Sequence, residues 1–244
     1  LGCDAIAILP EGMSRERFEW LETVGAEIIA TPGCESNVKE IYDKCWELLD
    51  TRGDEVVILN QFAEFGNPIW HYEVTAEAMR EVLASELEPG QQLSGIALST
   101  GSAGTIGCAD SLRKTHPLIK VCASEALQCP TLLYNGYGDH RIEGIGDKHI
   151  PWVHNVRNTD VACGIDDEDT VRLIRLFNEP AGKERLLEAG VPLATVEQLP
   201  LMGISSVCNM LTAIKLAKYY EMNENDAVFT IFTDSMEMYG SRLK

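Results

Sequence analysis

The sequence has a shortage of basic residues, and this shortage excludes two classes of partner. Lys and Arg number 20 against 38 Asp and Glu, which gives a formal net charge of −18 at pH 7. A surface with this charge repels nucleic acid and anionic membranes, so we expect neither as a partner. No run of about 18 apolar residues is present, so the sequence predicts no membrane span.

Metal-ligand spacings and targeting signals are also missing. The eight cysteines form no Cys-x-x-Cys pair and match no zinc spacing. Because they are scattered among apolar positions, we interpret them as reduced core thiols of a cytoplasmic protein. Leu1-Gly2-Cys3-Asp4 lacks an initiator Met and the charge pattern of a signal peptide, and residues 240–244 show no terminating pattern. We therefore expect these 244 residues to be a fragment of a longer chain.

The most informative stretch, residues 94–112, predicts a buried strand, a tight turn and a helix. Small side chains in the turn let the backbone approach a ligand, and the unpaired N–H groups at a helix start favour a phosphate. A tightly packed connection without a ligand is an equally open interpretation. The turn consists of Gly101, Ser102, Ala103, Gly104 and Thr105, of which Ser102 and Thr105 offer hydroxyl donors.

Hydrophobic periodicity along the chain predicts an α/β protein of three αβα layers with two parallel-sheet units. We expect a smaller N-terminal unit over residues 1–80 and a larger cofactor-binding unit over residues 81–244. The long Gly-rich segment 128–158 predicts a functional loop. Strands are predicted at 5–9, 27–30, 55–59, 94–98, 119–123 and 227–232, and helices at 14–24, 38–49, 75–85, 166–177, 182–189 and 204–220.

Two further positions are candidates for ligand contacts. Gln61 follows the third predicted strand, at the sheet edge where open α/β proteins bind ligands. Its amide is either a substrate contact or a group that stabilises the loop. Ser205 lies in Gly203-Ile204-Ser205-Ser206, which opens the last long helix as either a plain N-cap or a second helix start that faces a ligand.

Five segments together resemble the cysteine synthases. Their order and approximate spacing agree over nearly the whole chain, and jointly they are specific to the fold-type II pyridoxal phosphate enzymes, the tryptophan synthase β superfamily. The segments are residues 9–14 with 25–27, similar to PExMS…GAE; residues 60–62 with 67–68 and 71–72, similar to QF…NP…HY; residues 101–105, similar to GTGGT; residues 140–146, similar to HKIQGIG; and residues 203–206, identical to GISS.

The resemblance implies a cofactor, a reaction and roles for individual residues. Pyridoxal 5'-phosphate would bind with its phosphate on residues 101–105 and its pyridine nitrogen on Ser205. Gln61 would hold the carboxylate of an amino-acid substrate, and Gly144 and Ile145 would lie against cofactor and substrate. The implied activity is β-elimination or β-replacement by a cysteine synthase-like lyase or transferase, a homodimer when complete. Residues 233–239 resemble the ending of cystathionine β-synthases.

The sequence departs from the family pattern at three points. Ala103 replaces the middle Gly of the phosphate loop and adds a methyl group there. Thr233 stands where the family usually has Pro. None of the lysines, at positions 39, 44, 114, 120, 148, 183, 215, 218 and 244, matches the family's Schiff-base lysine. We therefore assign no catalytic residue and expect that lysine outside this chain.

Three other interpretations remain open from the sequence. A non-catalytic binding module could keep the pyridoxal phosphate fold. An NAD-dependent dehydrogenase could use the turn Gly101-x-x-Gly104-x-x-Gly107 with Glu125 for the ribose hydroxyls, although the first Gly-x-Gly of that fingerprint is missing. A metal site from the histidines and aspartates at 139, 140, 147, 149 and 154 matches no known ligand spacing.

Overall fold

The computed structural model describes residues 2–243, which contain six strands in two parallel sheets. One sheet has two strands, in the order β1-β2, and the other has four, in the order β5-β4-β3-β6. Every neighbouring pair is parallel. The strands are β1 (Ile6–Pro10), β2 (Glu27–Thr31), β3 (Gln92–Ser99), β4 (Lys120–Ala126), β5 (Val161–Ile165) and β6 (Asp226–Phe229).

Helices connect and cover these strands. A π-helical turn, His71–Thr75, joins the third helix to the fourth, and short 3₁₀ turns follow the second and ninth. The helices are α1 (Arg15–Thr23), α2 (Val38–Arg52), α3 (Gly66–Trp70), α4 (Ala76–Glu86), α5 (Ile106–Leu112), α6 (Thr131–Tyr134), α7 (Asp167–Asn178), α8 (Pro180–Glu188), α9 (Leu193–Gln198) and α10 (Ile204–Tyr219).

The alternation of side chains along β3 explains the layered architecture. Ile96 and Leu98 pack in one apolar cluster with α5, whereas Ala97 between them packs with Leu216 of α10. Because successive side chains of a strand point to opposite faces, α5 and α10 cover the two faces of the sheet. The predicted three-layer α/β fold is confirmed. No single helix within residues 2–243 is long and apolar enough to cross a membrane; only Leu193–Leu201 and Ile204–Tyr219 together reach that length, across a bend of 116°.

The predicted strand at residues 55–59 is wrong. Gly53–Glu55 forms a 3₁₀ turn, and the residues after it have no regular structure. Val57 and Leu59 are 82% and 86% exposed. An apolar run forms a strand only where a neighbour completes its hydrogen bonds, and in the described part of the chain β1 pairs with β2 alone.

Three other predictions differ from the structure. The Gly-Asn-Pro sequence of residues 66–68 predicts a loop, but these residues open α3, where Pro68 is tolerated because the N–H groups of a first helical turn have no intrahelical partner. Helix α9 and strand β5 were not predicted; β5 contains Ala162 and Gly164, which weaken a strand signal. The other elements lie within a few residues of their predicted bounds, and segment 128–158 has only α6 and one short 3₁₀ turn.

Candidate active site

The turn after β3 is held in place by the ends of neighbouring elements. The Thr100 N–H donates to the Ser124 carbonyl at the end of the β3–β4 pairing, at 2.8 Å. Asn209 of α10 accepts from the Ser99 N–H at 2.7 Å and donates to the Ile231 carbonyl at 2.7 Å. This buried amide therefore joins the end of β3 to the segment after β6. Sequence reasoning missed it, although a buried polar residue on an apolar helix is a detectable signal.

The turn presents a set of unpaired donors. Within residues 2–243, the backbone N–H groups of Gly101, Ser102, Ala103 and Thr105 donate to no protein acceptor. The hydroxyls of Ser102 and Thr105 lie on the same turn and are half-buried. Converging N–H groups with adjacent hydroxyls form a concave site for an anion such as a phosphate.

Close approach to α3 explains why glycine is required in this turn. A Cβ at Gly104 would lie 1.9 Å from Oδ1 of Asn67, and one at Gly107 would lie 2.4 Å from the Pro68 carbonyl oxygen. The Asn67 amide donates to the Ser102 hydroxyl at 3.0 Å and to the Gln61 carbonyl at 2.7 Å. Two of the five segments that carried the resemblance therefore meet at one point.

Ala103 adopts a left-handed backbone conformation, with φ +61°. This conformation explains why glycine is expected there, because a Cβ strains it. The added methyl group is 4% exposed and packs in the apolar cluster that contains Ile106. The methyl group that distinguishes Ala103 from the family's glycine therefore lies in the core.

Segment 144–146 runs alongside the turn. The Gly146 N–H donates to the Thr100 carbonyl at 2.7 Å, and a Cβ at Gly101 would lie 3.5 Å from the Ile145 Cα. Gly144 and Gly146 have φ +85° and +90°, and a Cβ at Gly146 would overlap the His140 ring. The Ile145 side chain is buried in the core. The predicted contacts of Gly144 and Ile145 with cofactor and substrate stay predictions, and for Ile145 they would involve its backbone.

Ser205 completes this group of residues from the other side. It lies buried in the first turn of α10, and its Oγ is 4.0 Å from the position of a Cβ at Gly144. The Thr233 hydroxyl lies 3.2 Å from the same Oγ. The Ser206 hydroxyl accepts from the Thr233 N–H at 3.0 Å, which fixes the threonine there. Thr233, identified from the sequence only as a departure, is thus the hydrogen-bond partner of Ser205.

Within residues 2–243, neither the Gln61 side chain nor a lysine side chain is observed to hydrogen-bond to the turn. Gln61 is exposed, and it contacts the site through its main-chain carbonyl, so a substrate contact of its side chain stays a prediction. Six of the lysines have observed partners, and none of these partners belongs to the turn. Lys39 and Lys44 pair with carboxylates of α2, Lys114 and Lys120 lie over tyrosine rings, Lys148 donates to Asn37, and Lys215 donates to the Gly164 carbonyl.

The dehydrogenase interpretation finds no support. Both carboxylate oxygens of Glu125 accept backbone N–H groups at the start of α6, at 2.9 Å from Leu132 and 2.7 Å from Leu133. A carboxylate engaged in this way is not available to ribose hydroxyls. In the part of the chain that the structure describes, no group of three or more His, Cys, Asp or Glu side chains could hold a metal ion.

The residues present suit pyridoxal phosphate. The free N–H groups and hydroxyls of residues 101–105 match a phosphate, and the buried Ser205 hydroxyl matches a ring nitrogen that needs a neutral partner. A side chain at Gly101 would lie against the Ile145 backbone, and one at Gly144 would point toward the Ser205 hydroxyl, so glycine at both positions keeps side-chain atoms out of these two places. Phosphate and ring contacts would therefore come from the described residues, whereas no lysine among residues 2–243 is seen to contact the turn.

Comparisons with known proteins agree with this fit. Cysteine synthase B of Campylobacter jejuni is 27% identical over 240 residues, which cover 98% of this chain and 71% of the relative. A hydrogen sulfide-producing enzyme from Fusobacterium nucleatum has a TM-score of 0.78 at 27% identity, over 97% of this chain and 71% of that one. The O-acetylserine-dependent cystathionine β-synthase from Helicobacter pylori has a TM-score of 0.77 at 26% identity, over 97% and 68%. The family described as pyridoxal-phosphate dependent enzyme matches residues 1–234, so this chain belongs to that family.

Proposed function

We propose that this protein catalyses β-elimination or β-replacement on an amino acid, as a pyridoxal phosphate-dependent lyase or transferase of the cysteine synthase type. The observation that carries the proposal is the buried hydroxyl of Ser205, which is hydrogen-bonded to Thr233 and which the resemblance assigns to the pyridine nitrogen. When bound, pyridoxal phosphate supplies an electron sink for the amino acid's α-carbon. A neutral hydroxyl leaves the ring less fully protonated than a carboxylate would, and this goes with chemistry at the β-carbon.

Different residues of this chain bind the phosphate, the ring and the substrate. Backbone N–H groups of residues 101–105 hold the phosphate and fix the depth of the ring. Ser205 orients the ring by its nitrogen. Gln61 lies beside the same turn, linked through Asn67, and would hold the substrate carboxylate.

Relatives support the substrate class. Their names include cysteine synthase, cystathionine β-synthase and hydrogen sulfide-producing enzyme. We propose that this protein likewise acts on an amino acid with a leaving group on its β-carbon. Whether a lyase or a transferase step dominates depends on the nucleophile that the complete enzyme admits.

The complete enzyme would differ from this chain in one essential respect. No described residue brings a lysine to the turn, and we propose that the Schiff-base lysine belongs to sequence outside these 244 residues. Eight free cysteines, four of them buried, support a reducing compartment such as the cytoplasm. A homodimer of the complete enzyme, without nucleic-acid or membrane partners, is part of the same proposal.

The test is turnover by the complete enzyme, expressed from the full coding sequence and loaded with pyridoxal phosphate. O-acetyl-L-serine is supplied with and without sulfide, and acetate, pyruvate and cysteine are measured. We expect acetate release with the other two products in a ratio set by sulfide. Cofactor binding without any release from amino acids that carry a β-leaving group would instead support a non-catalytic module.

A further inference from the structure

Asp147 is a buried carboxyl group that directly follows segment 144–146. Its side chain is 3% exposed. One oxygen, Oδ1, lies 2.9 Å from Nδ1 of His149. The other, Oδ2, is buried and has no hydrogen-bond partner among residues 2–243. Because an unpaired buried carboxylate oxygen is costly, this one needs a partner that the protein does not supply.

The carboxyl group adjoins the phosphate turn through a small cavity. The cavity has a volume of about 10 Å³ for the centre of a water molecule, which is roughly the space of one water. Asp147 lines it together with Gly101 of the turn and Gly146. A group of the size of a water can therefore stand beside Asp147, Gly101 and Gly146.

Other titratable groups at this cavity are already engaged. Glu125 caps α6 with both oxygens, and His154 lies 3.0 Å from the Thr159 hydroxyl through Nε2. His149 lies on the Oδ1 side of Asp147. Burial raises the pKa of Asp147, partly opposed by the charge of His149. A carboxyl group that titrates closer to neutrality is suited both to take and to give a proton.

We propose that Asp147 is the catalytic group that takes the proton from the incoming nucleophile, a thiol or a water, when that nucleophile adds to the β-carbon of the substrate. This inference rests on the proposed function and adds a residue to it. The motif that carried the family resemblance at residues 140–146 ends at Gly146 and does not extend to this acid.

The overall replacement balances without an oxidant or reductant. The nucleophile H–X forms its bond to the β-carbon with an electron pair of X, and its proton moves to Oδ2. The bond from the β-carbon to the leaving group breaks, and the leaving group departs with that electron pair. The proton on Asp147 then returns to solvent, so that one nucleophile is consumed and one leaving group is released.

His149 is a positioning residue in this scheme. Its side chain is 48% exposed, so it connects the buried carboxyl group to solvent. Its ring centroid also lies 6.2 Å from that of Tyr42 on α2, which limits its orientations. By occupying Oδ1, His149 leaves Oδ2 as the oxygen of Asp147 that is free to accept a proton.

The experiment compares Asp147→Asn with Asp139→Asn in the complete enzyme, using O-acetyl-L-serine and sulfide as probes. Asp139 is an exposed aspartate of the same loop and serves as the matched control. In Asp147→Asn we expect single-turnover acetate release and pyridoxal phosphate affinity within twofold of wild type. Addition of sulfide should fall by about 100-fold or more, the usual contribution of a general base. Asp139→Asn should change neither step.

A second readout does not depend on turnover. The infrared spectrum of Asp147→Asn is subtracted from that of wild type at each pH of a titration, and this difference should contain the band of a protonated carboxyl group. The difference between wild type and the control Asp139→Asn should lack that band. For the positioning role, His149→Leu should slow sulfide addition, and His149→Asn, which keeps an N–H donor, should restore most of it.

Three outcomes overturn the inference. Sulfide addition by Asp147→Asn at the wild-type rate would remove Asp147 from the reaction while leaving the proposed function intact. Equal loss of acetate release, sulfide addition and cofactor affinity would make it a structural residue. A wild-type complete enzyme that releases no acetate and forms no cysteine or pyruvate would overturn the proposed function, and this inference with it.

Discussion

The two sheets of this protein bury their residues to very different extents. In the four-stranded sheet, β4 buries six of its seven residues, and α5 beside it also buries six of seven. In the two-stranded sheet, β2 buries only its last residue, and α1 buries none. The phosphate turn therefore stands on a fully packed layer, whereas the smaller sheet has little apolar support.

Polar contacts compensate for this difference by joining the smaller unit to the site. The Ser14 N–H donates to Glu143 at 3.0 Å, and Arg17 donates to the Tyr239 hydroxyl at 3.0 Å. The Ser241 N–H donates to Glu16 of α1 at 2.8 Å. Glu143 immediately precedes Gly144, so this network supports the segment that lies along the cofactor site. The comparison indicates that apolar packing supports the turn at 101–105, whereas polar contacts link residues 14–17 to Glu143 and to the C-terminal residues.

The largest expected effect is on the packed side, at Gly104. Gly104→Asp should abolish binding of pyridoxal phosphate to the complete protein, because its Cβ would overlap Asn67 and its carboxylate would repel the phosphate. We expect a loss of more than about 1,000-fold in affinity, or about 4 kcal/mol. Calorimetric titration with the cofactor measures it.

The control for this prediction is Gly66→Ala, on the neighbouring helix α3. A Cβ at Gly66 meets no atom within 4 Å, so cofactor affinity should not change. If Gly104→Asp bound the cofactor as tightly as this control does, the turn would not be the phosphate site.

The next effect concerns the polar network, at Glu143. Its side chain is 3% exposed and accepts from Ser14 and Arg242. Glu143→Ala should lower the free energy of unfolding by about 3 kcal/mol, since it leaves these donors without their acceptor. Urea unfolding measures the change. Glu168→Ala, which removes an exposed partner of Arg141, should cost less than about 1 kcal/mol. Equal effects would mean that the network does not support the smaller unit.

Local signals were sufficient for the packed side of the site and insufficient for the rest. The turn at 101–105 was predictable because an apolar run, small residues and a helical period follow one another directly. The convergence of Gly144 and Ser205 on that turn came only from the resemblance, since no local pattern reports contacts between residues so distant in sequence. The predicted strand that contains Val57 and Leu59 was wrong because strand formation depends on a neighbouring strand that lies elsewhere in the chain. The hydroxyl pair of Ser205 and Thr233 was missed for the same reason.

A smaller effect is expected from Glu35, which lies in the loop between β2 and α2. Burial raises the pKa of Glu35 to about 7 from 4.5, opposed by Arg17. Because the folded-state pKa lies above the unfolded one, its contribution to stability is complete below about pH 4.5 and is lost as the pH rises through about 7. Glu35→Gln should therefore match wild type at pH 4.5 and be more stable than wild type at pH 8. Unfolding curves across this range test the sign; a wild type that gains stability relative to Glu35→Gln above pH 7 would contradict it.

The smallest effect is expected at Ala103, where two opposing terms nearly cancel. Replacing Ala103 with Gly relieves a left-handed conformation that costs an L-residue about 1–2 kcal/mol. It also removes a buried methyl group worth about 0.8 kcal/mol and adds about 0.5–1 kcal/mol of backbone entropy to be lost on folding. Ala103→Gly should thus change the free energy of unfolding by less than about 0.5 kcal/mol and leave pyridoxal phosphate affinity unchanged, because the methyl group lies in the core. Ala109→Gly is the matched control, since Ala109 is fully buried in the same cluster but helical, and it should cost about 2 kcal/mol. Equal destabilisation by both substitutions would show that Ala103 carries no strain, and the packed side of the site would then tolerate alanine in its turn without compensation.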